Sequence, residues 1–537
     1  MFPNVQPETL SADVLVLGGG AAGLAAAVSA AERNARVLLL AKGSTLSTAT
    51  ALSDVSFEMQ GGNGSGFAAP IHPEDSAEQF LSDLLGASFG LGSERHLALV
   101  AERSLPMLQY LTGIGVPFAL GSDRQLEAYS AAGHGHPRLC FCRGGTGKAI
   151  SRRLAMRARQ LDVTIVHKAQ AVKLLITARQ VVGCMAVDRS SLQPMTIAAK
   201  AVVLATGGAS GLFALHTNPP GNTGDGMALA YEAGAELVDL EFQSPMLVAL
   251  VRGKCHGLSG SALKMGEFYG PTASQIVNDP RFEELVTQPV EAGRLPRGAS
   301  ALWRLRPENL QRFEDHFPHT HRFLSRHGVD LCRDHVPIAH AAHFSLGGVA
   351  ISPSAATTVP GLFAAGEVSG GFTGAGRILG TGISTGLIFG QVAGANAALR
   401  AQATPDSLLR EAVHQHRFPA TGRRPGWIRE ATREMIWVLQ GVLAHRDQAE
   451  LEDSLEMLDQ VEADLASAAN GEEAVFASPE LHSLLVVGRG YLQMALMREE
   501  SRGAHVRDDF RSRNDASFGG SFVMSKGKAV SFRPAVR

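Results

Sequence analysis

Cysteine is scarce in this 537-residue chain: only Cys140, Cys142, Cys184, Cys255 and Cys332 occur. An odd, scattered set excludes a disulfide framework and fits a reducing compartment. Cys140-Phe141-Cys142 invites a metal or redox reading. No second Cys/His pair stands at ligand spacing and no iron–sulfur spacing occurs, so no metal is expected and the cysteines read as structural. A charge excess is also lacking. The 49 basic and 51 acidic residues give a formal net charge of −2, so no basic excess argues for a nucleic-acid or anionic-membrane surface. No stretch of about 18 apolar residues runs free of charge and glycine, so direct membrane insertion is not expected. The opening MFPNVQPETLSAD lacks the basic, apolar and small-residue parts of a secretory leader, and the expectation is a cytoplasmic location, or a membrane association made only through a partner.

What the chain has in quantity is glycine, 59 residues spread between apolar runs, which signals close backbone approaches rather than disorder. Its length favours two to four domains. Asp13–Leu17 reads as a buried parallel strand, Leu24–Arg33 as a helix and Arg36–Leu40 as the next strand, one βαβ unit. Helices are expected within 75–115 and over 147–161. Strands follow at 163–167, 171–176, 181–188 and 201–205, and strand-like runs return at 349–352 and 362–365. Residues 235–335 mix signals and are rich in Pro and Gly, as an inserted domain would be. From 405 to 500 the pattern is charged and helical, and 511–537 reads as a polar tail with little periodicity.

The βαβ turn is Gly18-Gly19-Gly20-Ala21-Ala22-Gly23, a GxGxxG. The first glycine permits the turn, the second lets backbone approach a pyrophosphate, and the third packs helix on strand. The helix N-terminus adds N–H groups and a positive dipole end. Alone the motif is weak, and the acid that usually bonds a ribose after the second strand is missing, since Ala41-Lys42 stands there. Two further glycine-rich segments narrow the choice. "AVVLATGGASGLFALHTNPPGNTGDGMALAYEAGAE" spans 201–236 and "VPGLFAAGEVSGGFTGAGRILGTGISTGLIFGQVAGANAA" spans 359–398. Glycine-rich strand ends alone could merely allow tight turns. Three on one chain favour a long flavin nucleotide, which needs backbone approach at adenosine, pyrophosphate and isoalloxazine, over a nicotinamide cofactor, which needs fewer.

Those segments, with HFSLGGV and ALMREESRGAHVRDDF (495–510), resemble the flavoprotein family of fumarate reductase, succinate dehydrogenase and L-aspartate oxidase over nearly the whole chain. The resemblance implies an α/β fold. A Rossmann-like FAD-binding domain would lie in two segments (1–236 and 337–398), with an inserted α+β capping domain (237–336) and a C-terminal helical domain and tail (399–537). It also implies bound FAD and an active site between FAD domain and cap. On this pattern Gly18, Gly20, Ala22 and Gly23 meet the pyrophosphate, and Lys42, Ser47 and Thr48 lie near the FAD. Ala171 approaches adenine through its backbone, while Ala205, Thr206, Gly207 and Asp225 line the cofactor. Glu367 bonds sugar or ribityl hydroxyls, and Gly382 and Ile383 offer N–H groups to the flavin at a helix start. Some family members attach FAD through a histidine after the second strand; residues 43–67 hold none, so non-covalent FAD is expected.

The family's chemistry is hydride transfer between flavin N5 and a carbon beside a carboxylate, with fixed cations for the carboxylates and a proton donor opposite. His343 matches the carboxylate-binding histidine and Arg377 the carboxylate-binding arginine. The expected T-E-G-x-R-G-E stretch reads Ser261-Ala262-Leu263-Lys264-Met265-Gly266-Glu267, which places Met265 where the resemblance puts the proton-donating arginine. Methionine cannot donate a proton. Lys264, His340, His134 and Arg138 are the candidates to replace it. The Gln-Phe-His-Pro stretch appears as Phe242-Gln243-Ser244-Pro245. The Glu-Gly-Gly-His-Ser stretch of L-aspartate oxidases, whose glutamate meets the substrate amine, appears as Ala131-Ala132-Gly133-His134-Gly135. Three readings follow. The first is an FAD-dependent oxidoreductase acting on CH–CH or CH–NH2 groups of a small organic acid. The second is a flavoprotein subunit of an electron-transfer complex, fed by an iron–sulfur or other partner protein. The third is a catalytically degenerate FAD-binding scaffold.

Overall fold

The computed structural model describes residues 8–53, 57–58, 74–122, 125–130, 133–258, 260–270, 301–416, 418, 426–468, 476 and 478–535. Among them a seven-stranded sheet forms the centre. Glu8–Leu17 lies parallel between Val37–Ala41 and Pro194–Leu204, and Thr164–His167 extends that parallel side. Gln180–Asp188 and Ala169–Thr177 continue it antiparallel, and Leu362–Ala364 pairs with Pro194–Leu204 from the second segment. Val14, Leu15 and Val16 are wholly buried, as a central strand covered on both faces must be.

The helix Ala21–Ala31 is apolar on nearly every side and packs along Thr381–Ala403, a helix more than 350 positions away in sequence. Glycine makes this approach possible. A Cβ on Gly390 would lie 2.4 Å from the Ala22 carbonyl oxygen, and one on Gly394 would lie 2.1 Å from that of Ala26. The two sequence segments are thereby joined into one body at backbone contact, under the same glycine turn that begins the chain's first helix.

Residues 243–345 contribute a second, antiparallel sheet. Its order is Lys254–Gly257, Gln243–Val251, Val336–Ser345, Ala301–Leu305, Gly266–Tyr269. It carries its own core, in which Trp303 and Phe313 meet at a tilt and share one apolar cluster with Met265, Leu324 and Ile338. The long strand Val336–Ser345 begins in this cap and ends against the first sheet's domain, so its last residues reach the junction. In the C-terminal part the helices Ile428–Gly441, Gln448–Ala468 and Pro479–Met497 pack together, and Pro479–Met497 also packs against Asp225–Glu232. The segment read as a polar tail forms a hairpin instead: Gly520–Met524 pairs with Ser531–Pro534 and with Leu237–Val238. Its pairing partner lies some 280 positions away, and a five-residue strand carries too little periodicity to be seen without it. No helix among the described residues is long and apolar enough to cross a membrane.

Candidate functional site

The glycine turn is built as the motif requires. Gly18 has φ +117°, and a Cβ there would sit 2.0 Å from the Ala205 carbonyl oxygen; a Cβ on Gly23 would sit 1.9 Å from that of Gly18. Both are closed to any side chain. Gly20 differs: the nearest atom to a Cβ there is Thr50 Oγ1 at 3.6 Å, so this glycine faces open space at the helix start. Ala22 turns the other way, into the packing beneath Gly366. Thr48 caps the short helix Ala49–Leu52 by accepting from the Ala51 N–H (3.2 Å), and Ser47 is exposed beside it.

Lys42 and Asp225, chosen separately from sequence, come together. The Lys42 ammonium lies 2.9 Å from Asp225 Oδ2 and 2.9 Å from Glu480 Oε1, and it donates to Thr223 Oγ1 at 2.8 Å. Gln170 donates to the same aspartate (3.1 Å). Beside them a cleft of about 330 Å³ is lined by Ala171, Leu174, Ile176, Leu229 and Phe476. Ala205 donates its N–H to Leu17, continuing the sheet, and Gly207 follows with φ +83°. Glu367 comes after Gly366 (φ +79°) and accepts from the Ser345 N–H at 3.0 Å. It is half-buried by accessible surface yet enclosed by protein atoms on most sides. That enclosure pushes its carboxyl up to about 7, against the opposing pull of the Ser345 N–H and the Arg377 charge. Gly382, in the first turn of Thr381–Ala403, lies under Phe344, whose Cε2 would be 2.9 Å from a Cβ there. The Ile383 N–H is taken by the Gly380 carbonyl at 3.1 Å.

Two buried polar atoms along this path have no hydrogen-bond partner among the described residues: Thr206 Oγ1 and Gln243 Nε2. Buried polar groups are rarely left so. Gln243 is held by Ser345 Oγ (3.0 Å), whose own main chain binds Glu367, so its free amide hydrogens point into the same region. A glycine cradle at the helix start, an orphaned hydroxyl, an orphaned amide and a protonatable carboxyl suit a long nucleotide with phosphate, hydroxyl and carbonyl groups, and FAD fits that set.

The second half of the site lies where the cap strand ends. Ser244 pairs with Phe344 and Pro245 with Ala342, so His343 is the extra residue of a β-bulge. A bulge re-aims a side chain that a regular strand would send elsewhere. Thr217 Oγ1 holds His343 Nδ1 at 2.8 Å, and Asn218 Nδ2 donates to the His343 carbonyl at 2.7 Å. Burial, with the Arg377 charge second, pushes the imidazole down to about 3, so it is neutral at ordinary pH. The Arg377 guanidinium stacks 4.1 Å over the Phe344 ring. Arg377, Phe344, His343 and Gly382 therefore converge. His134 joins the rim: its Nε2 donates to the Leu379 carbonyl (2.9 Å), two residues from Arg377.

The other proton-donor candidates fall elsewhere. Arg138 is buried and committed to two carboxylates, with 2.8 and 2.6 Å contacts to Asp75 and 2.5 Å to Asp83. Lys264 is exposed in the turn after Gly260–Leu263. Met265 belongs to the cap's own hydrophobic core. His340 pairs with Leu247 inside the cap sheet, and its carbonyl accepts from Gln440 (3.0 Å). Ala131 and Ala132 lie outside the described residues. Thr217, Phe344 and Gln243 escaped the sequence reading as functional residues. Thr217 sits inside the quoted segment that carries TNPPGNTGDG, but its partner is 126 positions away.

A glycine-turn sheet in two segments, a cap sheet whose strand enters the junction, and a cradle suited to FAD define an FAD-dependent oxidoreductase. The FAD binding domain family matches residues 13–383 and the fumarate reductase flavoprotein C-terminal family matches residues 432–535. The chain belongs to the fumarate reductase, succinate dehydrogenase and L-aspartate oxidase flavoprotein family. It is 30% identical to L-aspartate oxidase of Synechocystis sp., covering 93% of this chain and 94% of that one. It is 27% identical to a subunit of the CoM/CoB fumarate reductase of Methanothermobacter marburgensis, covering 94% and 96%. In fold it is similar to E. coli quinol fumarate reductase FrdA, with TM-score 0.84 and 21% identity over 98% of this chain and 97% of that chain.

Proposed function

We propose that this flavoprotein interconverts a C–C single and double bond beside a carboxylate of a small organic acid, with Arg377 and His343 as the carboxylate-binding pair. The observation that carries this reading is the convergence of a stacked guanidinium and a bulge-aimed imidazole beside the Gly382 helix start. FAD, when bound, supplies the hydride chemistry. Arg377 contributes the fixed positive charge, oriented by Phe344 so that its planar edge meets a carboxylate. His343 contributes a hydrogen bond and not a charge: Thr217 occupies Nδ1, which leaves Nε2 for the ligand. One fixed cation and one neutral imidazole suit an acid with a single carboxylate next to the reacting carbon, or a dicarboxylate held mainly at one end. Gly20, Thr206, Gln243, Glu367 and the Lys42–Asp225 pair hold the nucleotide. A cytoplasmic location is part of this proposal.

Anaerobic titration of the purified holoprotein with succinate, and of its reduced form with fumarate and crotonate, tests the reading through flavin absorbance. Bleaching or re-oxidation by at least one of these acids is expected. L-Aspartate is expected to leave the flavin unchanged, because Ala131-Ala132 offers no carboxylate for an amine. Silence with every acid sinks the proposal in favour of a scaffold role. FAD is expected to be non-covalent: after acid precipitation the flavin stays in the supernatant and the pellet is not fluorescent. A fluorescent pellet contradicts this.

A second reading, compatible with the first, is that the chain is one component of an electron-transfer assembly. It is favoured by the likeness to a relative that is itself named as one subunit of a fumarate reductase, and by the lack of iron–sulfur spacing in this sequence. Co-purification of an iron–sulfur protein supports it, whereas rapid re-oxidation of the isolated flavoprotein by oxygen, with peroxide release, favours a free-standing oxidase.

A further inference from the structure

The loop that carries Arg377 is clamped from two sides. On one side lies the end of the helix Ala77–Ala87 and the turn after it. The Ala375 N–H donates to the Ser88 carbonyl at 3.2 Å, and a Cβ on Gly374 (φ +69°) would be 2.5 Å from that same oxygen. On the other side lies the C-terminal segment ESRGAH. The Ala504 N–H donates to the Ala375 carbonyl at 2.8 Å, and Gly503, at φ +50°, passes so close that a Cβ there would be 2.2 Å from that oxygen. Arg502 ties the two sides together: it donates to the Phe89 carbonyl (2.8 Å) while its other edge is held by both oxygens of buried Glu500 (2.7 and 2.8 Å). Between them sits a small apolar cluster of Leu91, Phe242, Leu346, Ala375 and Ala504, with Phe89 and Phe344 packed against it. Phe344 is the ring on which Arg377 stacks.

We propose that Arg502-Gly503-Ala504, from the C-terminal part of the chain, is a positioning element for Arg377 and so sets the affinity for the substrate carboxylate. The Ala375 carbonyl is held by the Ala504 N–H two residues before the guanidinium, and Ala504 belongs to the apolar cluster against which Phe344 packs. Glycine at 503 is required on two counts, the left-handed backbone and the absent Cβ. The carbonyl it would strike is backbone, which cannot swing aside as a side-chain tip can. This inference rests on the reading of Arg377 as the carboxylate anchor.

The test is Gly503→Ala in the FAD-loaded full chain, alone and combined with Arg377→Ala. Fumarate is the probe, with binding read from the flavin spectrum. Alone, Gly503→Ala is expected to weaken fumarate binding by about 10²-fold, the cost of displacing an anchor by about 1 Å, with FAD content unchanged. Added to Arg377→Ala it is expected to change nothing further, because both act through one guanidinium. A crystal structure of Gly503→Ala is expected to show Arg377 displaced from its 4.1 Å stack on Phe344. An equal loss in both backgrounds, or a variant structure with Arg377 still stacked, overturns the proposal. If the parent protein binds no fumarate, the reading of the site fails, and the crystal structure still decides whether the segment holds the arginine. Should Gly503→Ala not fold, Arg502→Lys loosens the same segment from the Phe89 carbonyl and from Glu500, and the same outcomes apply.

Discussion

Replacing Arg377 by alanine is expected to lower kcat/KM for the organic acid by about 10²–10³-fold, the loss typical when one oriented charge stabiliser is removed, while FAD stays bound. The physical reason is that the site has little charge to spare. His343 is neutral, held down at about 3 by burial and by Arg377 itself. Lys264 is exposed in the cap and Arg138 is spent on Asp75 and Asp83. The guanidinium is also oriented by its stack on Phe344, so Arg377→Lys, which keeps the charge and loses the plane, is expected to recover only part of the activity. The nucleotide cradle at Gly18–Gly23, Thr206 and Glu367 is built from other elements, which is why the flavin-to-protein ratio should not move. Removing Arg377 also lifts one of the two influences that depress His343, but burial is the larger, so the imidazole stays neutral in the variant. Steady-state kinetics and flavin content on the same preparation decide the matter. Parent-like turnover in Arg377→Ala would show that the carboxylate is held elsewhere.

The cofactor half of this site was legible in sequence because its signals are local. A strand, a GxGxxG and an Ala-rich helix lie within about 25 consecutive residues, although Gly18 does its close packing against Ala205, far along the chain. His343 and Arg377 were singled out through family resemblance. What was hidden is everything that depends on distant pairing. The bulge that aims His343 requires Gln243–Val251 to be laid beside Val336–Ser345. The Thr217 hydroxyl becomes informative only beside His343. Met265 drew attention because a motif match placed it at a catalytic position; that its side chain joins the apolar core that also holds Trp303, Phe313 and Leu324 is not visible in linear spacing. The tail hairpin was missed for the same reason, since its edge is completed by Leu237–Val238.

Replacing Arg498 by methionine is expected to destabilise the folded chain by about 3–5 kcal/mol, the cost of breaking a buried ion network from one side. Arg498 is fully buried and lies where the C-terminal part meets the FAD domain. It donates to Glu241 (2.7 Å), Glu500 (3.1 Å) and the carbonyls of Phe518 (3.0 Å) and Gly520 (2.9 Å). Methionine fills much of the volume between the Phe242 and Phe522 rings but satisfies none of these acceptors. Glu500 retains Arg502, whereas Glu241 and Asp239 lose their nearest cation. Asp239 is already pushed up to about 7 by burial and by the neighbouring Glu241 charge, with Arg498 pulling the other way. A carboxyl whose folded value is raised takes up a proton on folding. Its folded form is therefore favoured below the unfolded value of about 4, and that advantage is lost as pH rises through the folded value. Without Arg498 the folded value climbs further, so the deficit of the variant should be smallest near pH 5 and should widen above pH 7. Denaturant unfolding of parent and Arg498→Met at pH 5 and pH 8 reads this directly. An equal deficit at both values would mean that no carboxylate is left uncompensated at this junction, and that Arg498 acts there through packing alone.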